Sequence, residues 1–360
     1  MRANDSDSRT PDDAEPEPNA TAPARQGLVE GLVIEKNRGV YRVDLPGGPL
    51  VCTIRGRLRK QLEYATSEST AARKSVKRVR VMRHDPVAVG DRVLVRPTLP
   101  GEGVIEEVVA RGAAFTREDP QGGREQLTSV AGIDQVVAVF AAREPAPHLR
   151  LLDRFLVVAE ARELGAIVCL NKVDLGIEPW LADRLRVYHA IGYPVVLTSA
   201  ATGDGLDELR VRLAGHTSAL LGPSGVGKSS LLNAIEPSLG QRVSEISRST
   251  GKGRHTTRGT LLAPLHGPGG GYIADTAGIR ALALDDATLE RLDWCFREFR
   301  PYLDQCRLSD CTHLHEPGCA VREAVRAGAI DAERYDSYVR LHPESAGAAE
   351  LAEEDWSEVG

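Results

Sequence analysis

Residues 222–229 read GPSGVGKS, a complete match to G-x-x-x-x-G-K-[ST]. The apolar run SALL precedes the match and the helical pattern SSLLNAI follows it. That context dictates strand, loop and helix, with an anion in the loop. Glycines let backbone N–H groups turn inward on phosphate oxygens. Lys228 can reach the β- and γ-phosphates, and the Ser229 hydroxyl can ligate Mg²⁺. The helix adds the positive end of its dipole. Gly222, Pro223, Ser224, Gly225, Val226, Gly227, Lys228, Ser229 and Ser230 are therefore candidate nucleotide contacts.

The residues that would read the base lie upstream of this loop. Asn171-Lys172-Val173-Asp174 ends the apolar run AIVCL. A carboxylate at Asp174 can accept from both N1–H and the exocyclic amine of guanine. Adenine has no N1–H and carries its amine elsewhere, so a carboxylate left unpaired would reject it. Asn171 can brace the loop and contact N7, and the Lys172 stem can lie over the ring. In Thr198-Ser199-Ala200, a backbone N–H can meet guanine O6. The plainer reading of NKVD is an Asn/Asp helix cap after a strand. Its position at a strand end, with an SA loop behind it, favours base reading.

Downstream, Asp275-Thr-Ala-Gly278 ends another apolar run. Asp275 can hold Mg²⁺ through water and the Gly278 N–H can contact the γ-phosphate. Between the phosphate loop and this motif lies SRSTGKGRHTTRGTLL, which suits a loop that orders over nucleotide. Thr256 or Thr257 is the expected Mg²⁺ and γ-phosphate contact, and the sequence leaves the choice open. Ras-type enzymes orient water with a Gln just after D-x-x-G. Ile279 stands there and cannot bind water. His255 is the nearest able group and is the candidate catalyst. A solvated loop histidine, or one on an RNA phosphate, is the alternative.

Residues 27–112 show five short β-like runs separated by turns, the pattern of a small barrel. After a linker at 113–126, residues 127–287 alternate strands and helices, which implies a parallel sheet covered on both faces. In this reading Gly165 ends the first helix. Residues 288–342 turn helical around Cys306, Cys311, His313 and Cys319, spaced C-x4-C-x-H-x5-C. Three thiolates and an imidazole make a closed, structural tetrahedral zinc site. The stretch that carries them, CRLSDCTHLHEPGC, is short and has little apolar content of its own, so metal would help it fold. His315 competes for the imidazole position, while Cys295 is too far upstream.

Charge separates the ends from the middle. Residues 1–26 hold six acids against three bases, and residues 344–360 hold six acids and no base. Both read as disordered acidic tails, at 1–26 and 343–360. Residues 55–96 contain twelve Lys/Arg against four Asp/Glu, an electrostatic footprint for a polyanion such as RNA or simply a solvated face. Arg55, Arg57, Arg59, Lys60, Lys74, Lys77, Arg78 and Arg80 are the candidate RNA contacts. Aromatic residues make up only 4% of the chain, so binding by phosphate and shape is expected over base stacking. No run of 18 apolar residues is present and the N-terminus lacks a signal-like apolar core. A cytoplasmic monomer without membrane contact is expected.

The order here is NKVD, SA, phosphate loop, switch threonines, DTAG. Ordinary GTPases begin with the phosphate loop and end with NKxD and SA, so this order is a circular permutation. With a barrel before it and a Cys/His cluster after it, the chain resembles the small ribosomal subunit biogenesis GTPase family, the ribosome-dependent GTPase A (RsgA/YjeQ) type, over roughly residues 27–342. The resemblance implies an OB-fold RNA-binding domain, a circularly permuted α/β P-loop GTPase domain and a mainly helical zinc-binding domain. It favours His313 as the fourth zinc ligand. It implies Zn²⁺ and Mg²⁺ as cofactors, GTP and GDP as ligands, and 16S rRNA and the 30S subunit as partners late in maturation. The permutation joins the switch end directly to the zinc segment, so GTP state is expected to set the pose of the flanking domains. Two other readings remain: a nucleotide-gated RNA-binding module with incidental hydrolysis, and a P-loop small-molecule kinase, against which NKVD argues.

Overall fold

The computed structural model describes residues 27–37, 39–56, 58, 87–109, 114–118, 126–237, 262–274, 284 and 286–343, with 114–118, 126–129 and 286 described by backbone alone. Arg57, Arg59, Lys60, Lys74, Lys77, Arg78, Arg80, His255, Thr256, Thr257, Asp275 and Gly278 lie outside the described residues.

Strands β1 (Val29–Asn37), β2 (Val40–Asp44), β3 (Leu50–Ile54), β4 (Arg92–Pro97) and β5 (Glu102–Val108) close into a barrel in the order β1-β2-β3-β5-β4. Alternation explains the closure. Tyr41 and Val43 point inward while Val40 and Arg42 face solvent. Val33, Cys52, Val93, Val95 and Ile105 fill the rest of the interior.

A two-stranded antiparallel ribbon follows, β6 (Ala114–Glu118), inside the span 113–126 that reads as a linker, with β7 (Gln126–Ala131), which begins at the end of that span. Then comes a six-stranded sheet: β8 (Gln135–Ala141), β9 (Gly165–Asn171), β10 (Val195–Leu197), β11 (Thr217–Leu221), β12 (Leu262–Pro264) and β13 (Tyr272–Ala274). Its spatial order is β10-β9-β8-β11-β13-β12. All pairings are parallel except that of β12 with β13, so the expected all-parallel sheet has one antiparallel edge strand. All seven residues of β8 are buried, as befits a central strand covered on both faces.

Helices α1 (Leu149–Ala161) and α2 (Pro179–Ile191) cover one face, packing Leu152, Leu156 and Leu185 on Val136, Ala138 and Phe140. Helices α3 (Leu206–Leu213) and α4 (Lys228–Ile235) cover the other, packing Leu209, Leu213 and Leu231 on Val137 and Val139. Gly165 does not end α1. The helix stops at Arg162, the left-handed Glu163 turns the chain, and Gly165 is already the first residue of β9 against the Gln135 side chain.

The phosphate-loop strand β11 follows β10 in the chain but sits beside β8 in the sheet. The inverted motif order thus leaves spatial neighbours unchanged, and the carboxyl ends of β9, β10 and β11 open at one edge.

The C-terminal region comprises α5 (Asp286–Leu289), a 3-10 helix (Arg297–Gln305), α6 (Ala320–Arg326) and α7 (Ala332–Leu341). The segment before the cysteines is 3-10 rather than α-helical and carries Pro301 within it. Its aromatic core of Phe296, Phe299 and Tyr338 reaches Val157 of α1. Ionic contacts fix it there. The fully buried Arg334 donates Nη1 to Asp153 Oδ1 at 2.6 Å and Nε to Glu298 Oε1 at 2.7 Å. Tyr188 of α2 donates to the same Asp153 oxygen at 2.7 Å, and Ser337 donates to the other. Glu160 of α1 accepts from Arg297 Nε and Arg300 Nη2 at 2.6 Å each. Charges this deep persist only when fully paired.

The barrel seats elsewhere, on the β12–β13 edge. Tyr272, opening β13, donates its hydroxyl to Asp44 Oδ2 of β2 at 2.8 Å. Ile34 and Val89 share a core cluster with Leu262 of β12.

Candidate functional site

The phosphate loop leaves β11 at Gly222, where a Cβ would lie 2.1 Å from the Val139 carbonyl oxygen of β8. Only glycine fits this close backbone approach. Gly227 caps α4 at φ 90°, and among the described residues no side chain caps the amides of the first turn. Those donors are left to serve an anion. Ser224, Gly225, Ser229 and Ser230 are exposed around the loop, while Val226 anchors it in the core. Lys228 Nζ donates to the carbonyls of Gly222 at 2.6 Å and Pro223 at 2.7 Å, and burial pulls its pKa down.

Asn171, the last residue of β9, is 1% exposed and joins three segments. Its Nδ2 donates to the Val226 carbonyl at 2.9 Å. Its Oδ1 accepts from Ala200 N at 3.2 Å and Thr198 Oγ1 at 3.3 Å. Asp174 is exposed, and Ser199 Oγ donates to its Oδ1 at 2.6 Å. Ser199 Oγ also accepts from the amides of Ala201 and Thr202, which orders the loop behind the carboxylate. Lys172 adopts a left-handed conformation at φ 61°, and its ammonium donates to the Glu144 carbonyl.

The connection after β8 was not singled out from the sequence. Besides holding Lys172 through Glu144, it places Pro145 Cδ 3.7 Å from where a Cβ on Gly225 would sit. Arg143 pairs with Glu178, the residue capping α2. No spacing rule marks this loop, because its contacts are made by backbone and by distant partners.

Among the described residues, one group has metal-ligand chemistry. Cys306, Cys311, His313 and Cys319 bring their ligand atoms within 4.8 Å of one another. His313 Nδ1 lies 3.5 Å from Cys306 Sγ and 3.4 Å from Cys319 Sγ. A tetrahedral ion with bonds of about 2.3 Å to sulfur and about 2.05 Å to nitrogen spans an N···S edge of about 3.5 Å, so the donor set fits a metal ion. His313 is 2% exposed and belongs to the group, whereas His315 is exposed outside it.

Residues invisible to motif reading support this loop. Asp293 Oδ2 lies 3.7 Å from His313 Nε2, on the side of the ring away from the cysteines, where an outer carboxylate would orient the imidazole if it held a metal. Glu316 accepts from Thr312 N at 2.8 Å, from Thr312 Oγ1 and from His315 N at 3.1 Å. These bonds outweigh its burial and bring its pKa down to about 2. Tyr335 and Tyr338 donate their hydroxyls to the carbonyls of His313 and Thr312 at 2.7 Å each.

Comparison with known proteins decides the family. The RsgA GTPase family model matches residues 108–285. A small ribosomal subunit biogenesis GTPase RsgA from Gemmatimonas aurantiaca is 43% identical over 320 residues, covering 88% of this chain and 97% of the relative. Its counterpart in Moorella thermoacetica is 40% identical over 311 residues, covering 86% and 95%. The chain belongs to the RsgA GTPase family. Two solved structures agree. YjeQ from Thermotoga maritima superimposes with a TM-score of 0.65 at 33% identity, covering 87% of this chain and 97% of that one. YloQ, a circularly permuted GTPase, does so at 0.63 and 30%, covering 89% and 96%. This RsgA-family protein is therefore a GTP-hydrolysing enzyme built as an OB-type barrel, a permuted P-loop domain and a C-terminal module able to hold a metal ion.

Of the candidate RNA contacts, only Arg55 is among the described residues. It pairs with Glu106, which also accepts from Arg96 Nε at 3.2 Å. The Arg55 bond is the main cause holding the Glu106 carboxyl below its usual range. None of the described helices is long and apolar enough to cross a membrane.

Proposed function

We propose that this RsgA-family enzyme binds the small ribosomal subunit and its 16S rRNA, hydrolyses GTP to GDP and phosphate there, and assists late 30S maturation. The reading is supported by relatives named for small-subunit biogenesis along nearly their full length. The observation that carries the guanine assignment is Asn171, which ties the base-reading turn to the phosphate loop. In this assignment Asp174 pairs with guanine N1–H and the exocyclic amine, with Ser199 fixing the carboxylate. Lys172 lays its stem along the ring, and the Ala200 segment faces O6. The phosphates lie over Gly222–Ser230, with Lys228 exchanging its two loop carbonyls for phosphate oxygens.

Mg²⁺ would be held by Ser229, Thr256 or Thr257, and Asp275, and would neutralise charge on the phosphates. His255 orients the attacking water in place of the glutamine that Ile279 replaces. Zn²⁺ would be held by Cys306, Cys311, His313 and Cys319, in a structural role. The barrel at residues 27–112 contacts RNA by phosphate and shape. The permuted domain is placed at 127–287 and the metal module at 288–342. The workplace is the cytoplasm, as a monomer.

Hydrolysis of GTP and ATP, with and without purified 30S particles, tests the reading. GTP-only turnover that rises strongly with 30S is expected. Tight 30S binding without stimulation would instead establish a nucleotide-gated RNA-binding module, the reading that Ile279 favours. Hydrolysis indifferent to both base and subunit would defeat both.

A further inference from the structure

Helix α7 stands between the metal loop and the GTPase helices. One side carries Tyr335 and Tyr338, whose hydroxyls hold the carbonyls of His313 and Thr312. Another carries Arg334 and Ser337, both donors to Asp153 of α1. Tyr338 is 1% exposed and fills the space between these sides, its ring 5.4 Å from Phe296 and 4.9 Å from Phe299. The same short helix thus holds the metal loop on one side and the GTPase domain on the other.

We propose that metal occupancy of the Cys306, Cys311, His313 and Cys319 site latches α7 onto α1 and α2. The proposal rests on the metal reading of that site given above. The loop from 306 to 319 has two leucines, of which Leu314 packs against the aromatic core and Leu308 is exposed, so its remaining contacts with that core run through Cys306, Cys311, His313 and Cys319, the four ligand side chains themselves. An ion that gathers three thiolates and an imidazole supplies the missing organisation. It sets Thr312 and His313 where the two tyrosines find acceptors. Released, the loop takes one wall of the α7 sandwich with it.

Arg334 makes the response abrupt. Its guanidinium is fully buried between Asp153 and Glu298, over the Phe296 ring at 4.6 Å. A charge in such a place does not tolerate partial unpairing, so α7 is either docked or solvated. The upstream 3-10 helix has its own clamp, Arg297 and Arg300 on Glu160. The module accordingly stays attached when α7 leaves, and the opening is local.

Hydrogen exchange of the full chain tests the latch, with zinc content measured alongside. Chelation is expected to speed exchange about tenfold or more in Leu149–Ala161 and Pro179–Ile191, and to leave α3 and α4 unchanged. A Tyr335→Phe/Tyr338→Phe variant keeps the rings and the ligands but removes both hydroxyl bonds. It should retain one zinc per chain and show the same acceleration without chelator. Arg334→Met should do likewise, and Ser337→Ala replaces it if that variant does not fold. Zinc removed with α1 and α2 exchange unchanged would overturn the latch alone. A chain that takes up no zinc would overturn the metal reading beneath it, and the latch with it.

Discussion

Asn171 Nδ2 donates to the carbonyl of Val226 across 2.9 Å, which joins the end of β9 to the middle of the phosphate loop 55 residues further along the chain. The permutation makes this bond informative. The two motifs appear in inverted order, yet the sheet returns them to the same edge, and one buried amide spans the gap. Its oxygen reaches the third element, the Ala200 amide. The NKVD turn, the Ala200 loop and the phosphate loop are therefore a single hydrogen-bonded unit, the one proposed to hold guanine.

Asn171→Ala should loosen that unit without unfolding the sheet. Three backbone or hydroxyl partners lose their bonds at a buried position, at a cost of about 1–3 kcal/mol each when left unsatisfied. The affinities for GTP and GDP are expected to fall together, by about tenfold or more, because the lost contacts lie on the base side of the γ-phosphate. Titration with fluorescent GDP and a non-hydrolysable GTP analogue would show it. A loss confined to the triphosphate would refute this account.

Gly227 approaches the same amide from the other side. Its φ of 90° suits glycine, and an added Cβ would sit 2.6 Å from Asn171 Nδ2. Gly227→Ala therefore strains the cap of α4 by about 1–3 kcal/mol and pushes Asn171 off Val226. Nucleotide binding should fail while the thermal midpoint drops by only a few degrees. Wild-type affinity in this variant would mean that the loop bears the substitution in a different conformation.

Asp174 is the place to change which base is read. Guanine presents N1–H and an amine to the carboxylate, whereas xanthine presents N1–H and a carbonyl. In Asp174→Asn the amide can donate to that carbonyl and no longer accepts from two donors. GTP affinity should fall by about 10² or more while that for xanthosine triphosphate rises. Competition between the two nucleotides measures the swing. An unchanged preference would remove Asp174 from the base site.

How much of this was legible beforehand depended on distance along the chain. The phosphate loop, NKVD and the Cys/His spacing are local, and each stands out from spacing alone. The barrel followed from five alternating runs, and the strand-helix succession gave the sheet. Asp293 was hidden because it meets His313 through tertiary packing, with no spacing rule between them. Arg334 and Asp153 lie 181 residues apart and read separately as ordinary charged positions on amphipathic helices. Strand β12 was missed because three residues carry too little pattern, and Gly165 misled because a glycine after an apolar helix usually signals its end.

The docking of α7 also carries a pH signature, at its N-terminus. Asp331 caps α7, accepting from the amides of Glu333 and Arg334, and receives two bonds from Arg184 of α2 at 2.5 and 2.8 Å. The Arg184 bond is the leading cause holding the Asp331 carboxyl below its usual range. A carboxylate with a lowered folded pKa stabilises fully above its unfolded value of about 3.9 and loses that contribution as pH falls through the folded value. Asp331→Asn keeps a capping side chain but removes the charge. The wild type should thus be the more stable of the two near pH 6, with the gap narrowing below about pH 4 and closing in stronger acid. Thermal melts of both proteins across this range give the answer. A gap that stayed constant into acid would show that Arg184 gains nothing from the Asp331 charge, and that capping alone accounts for the residue.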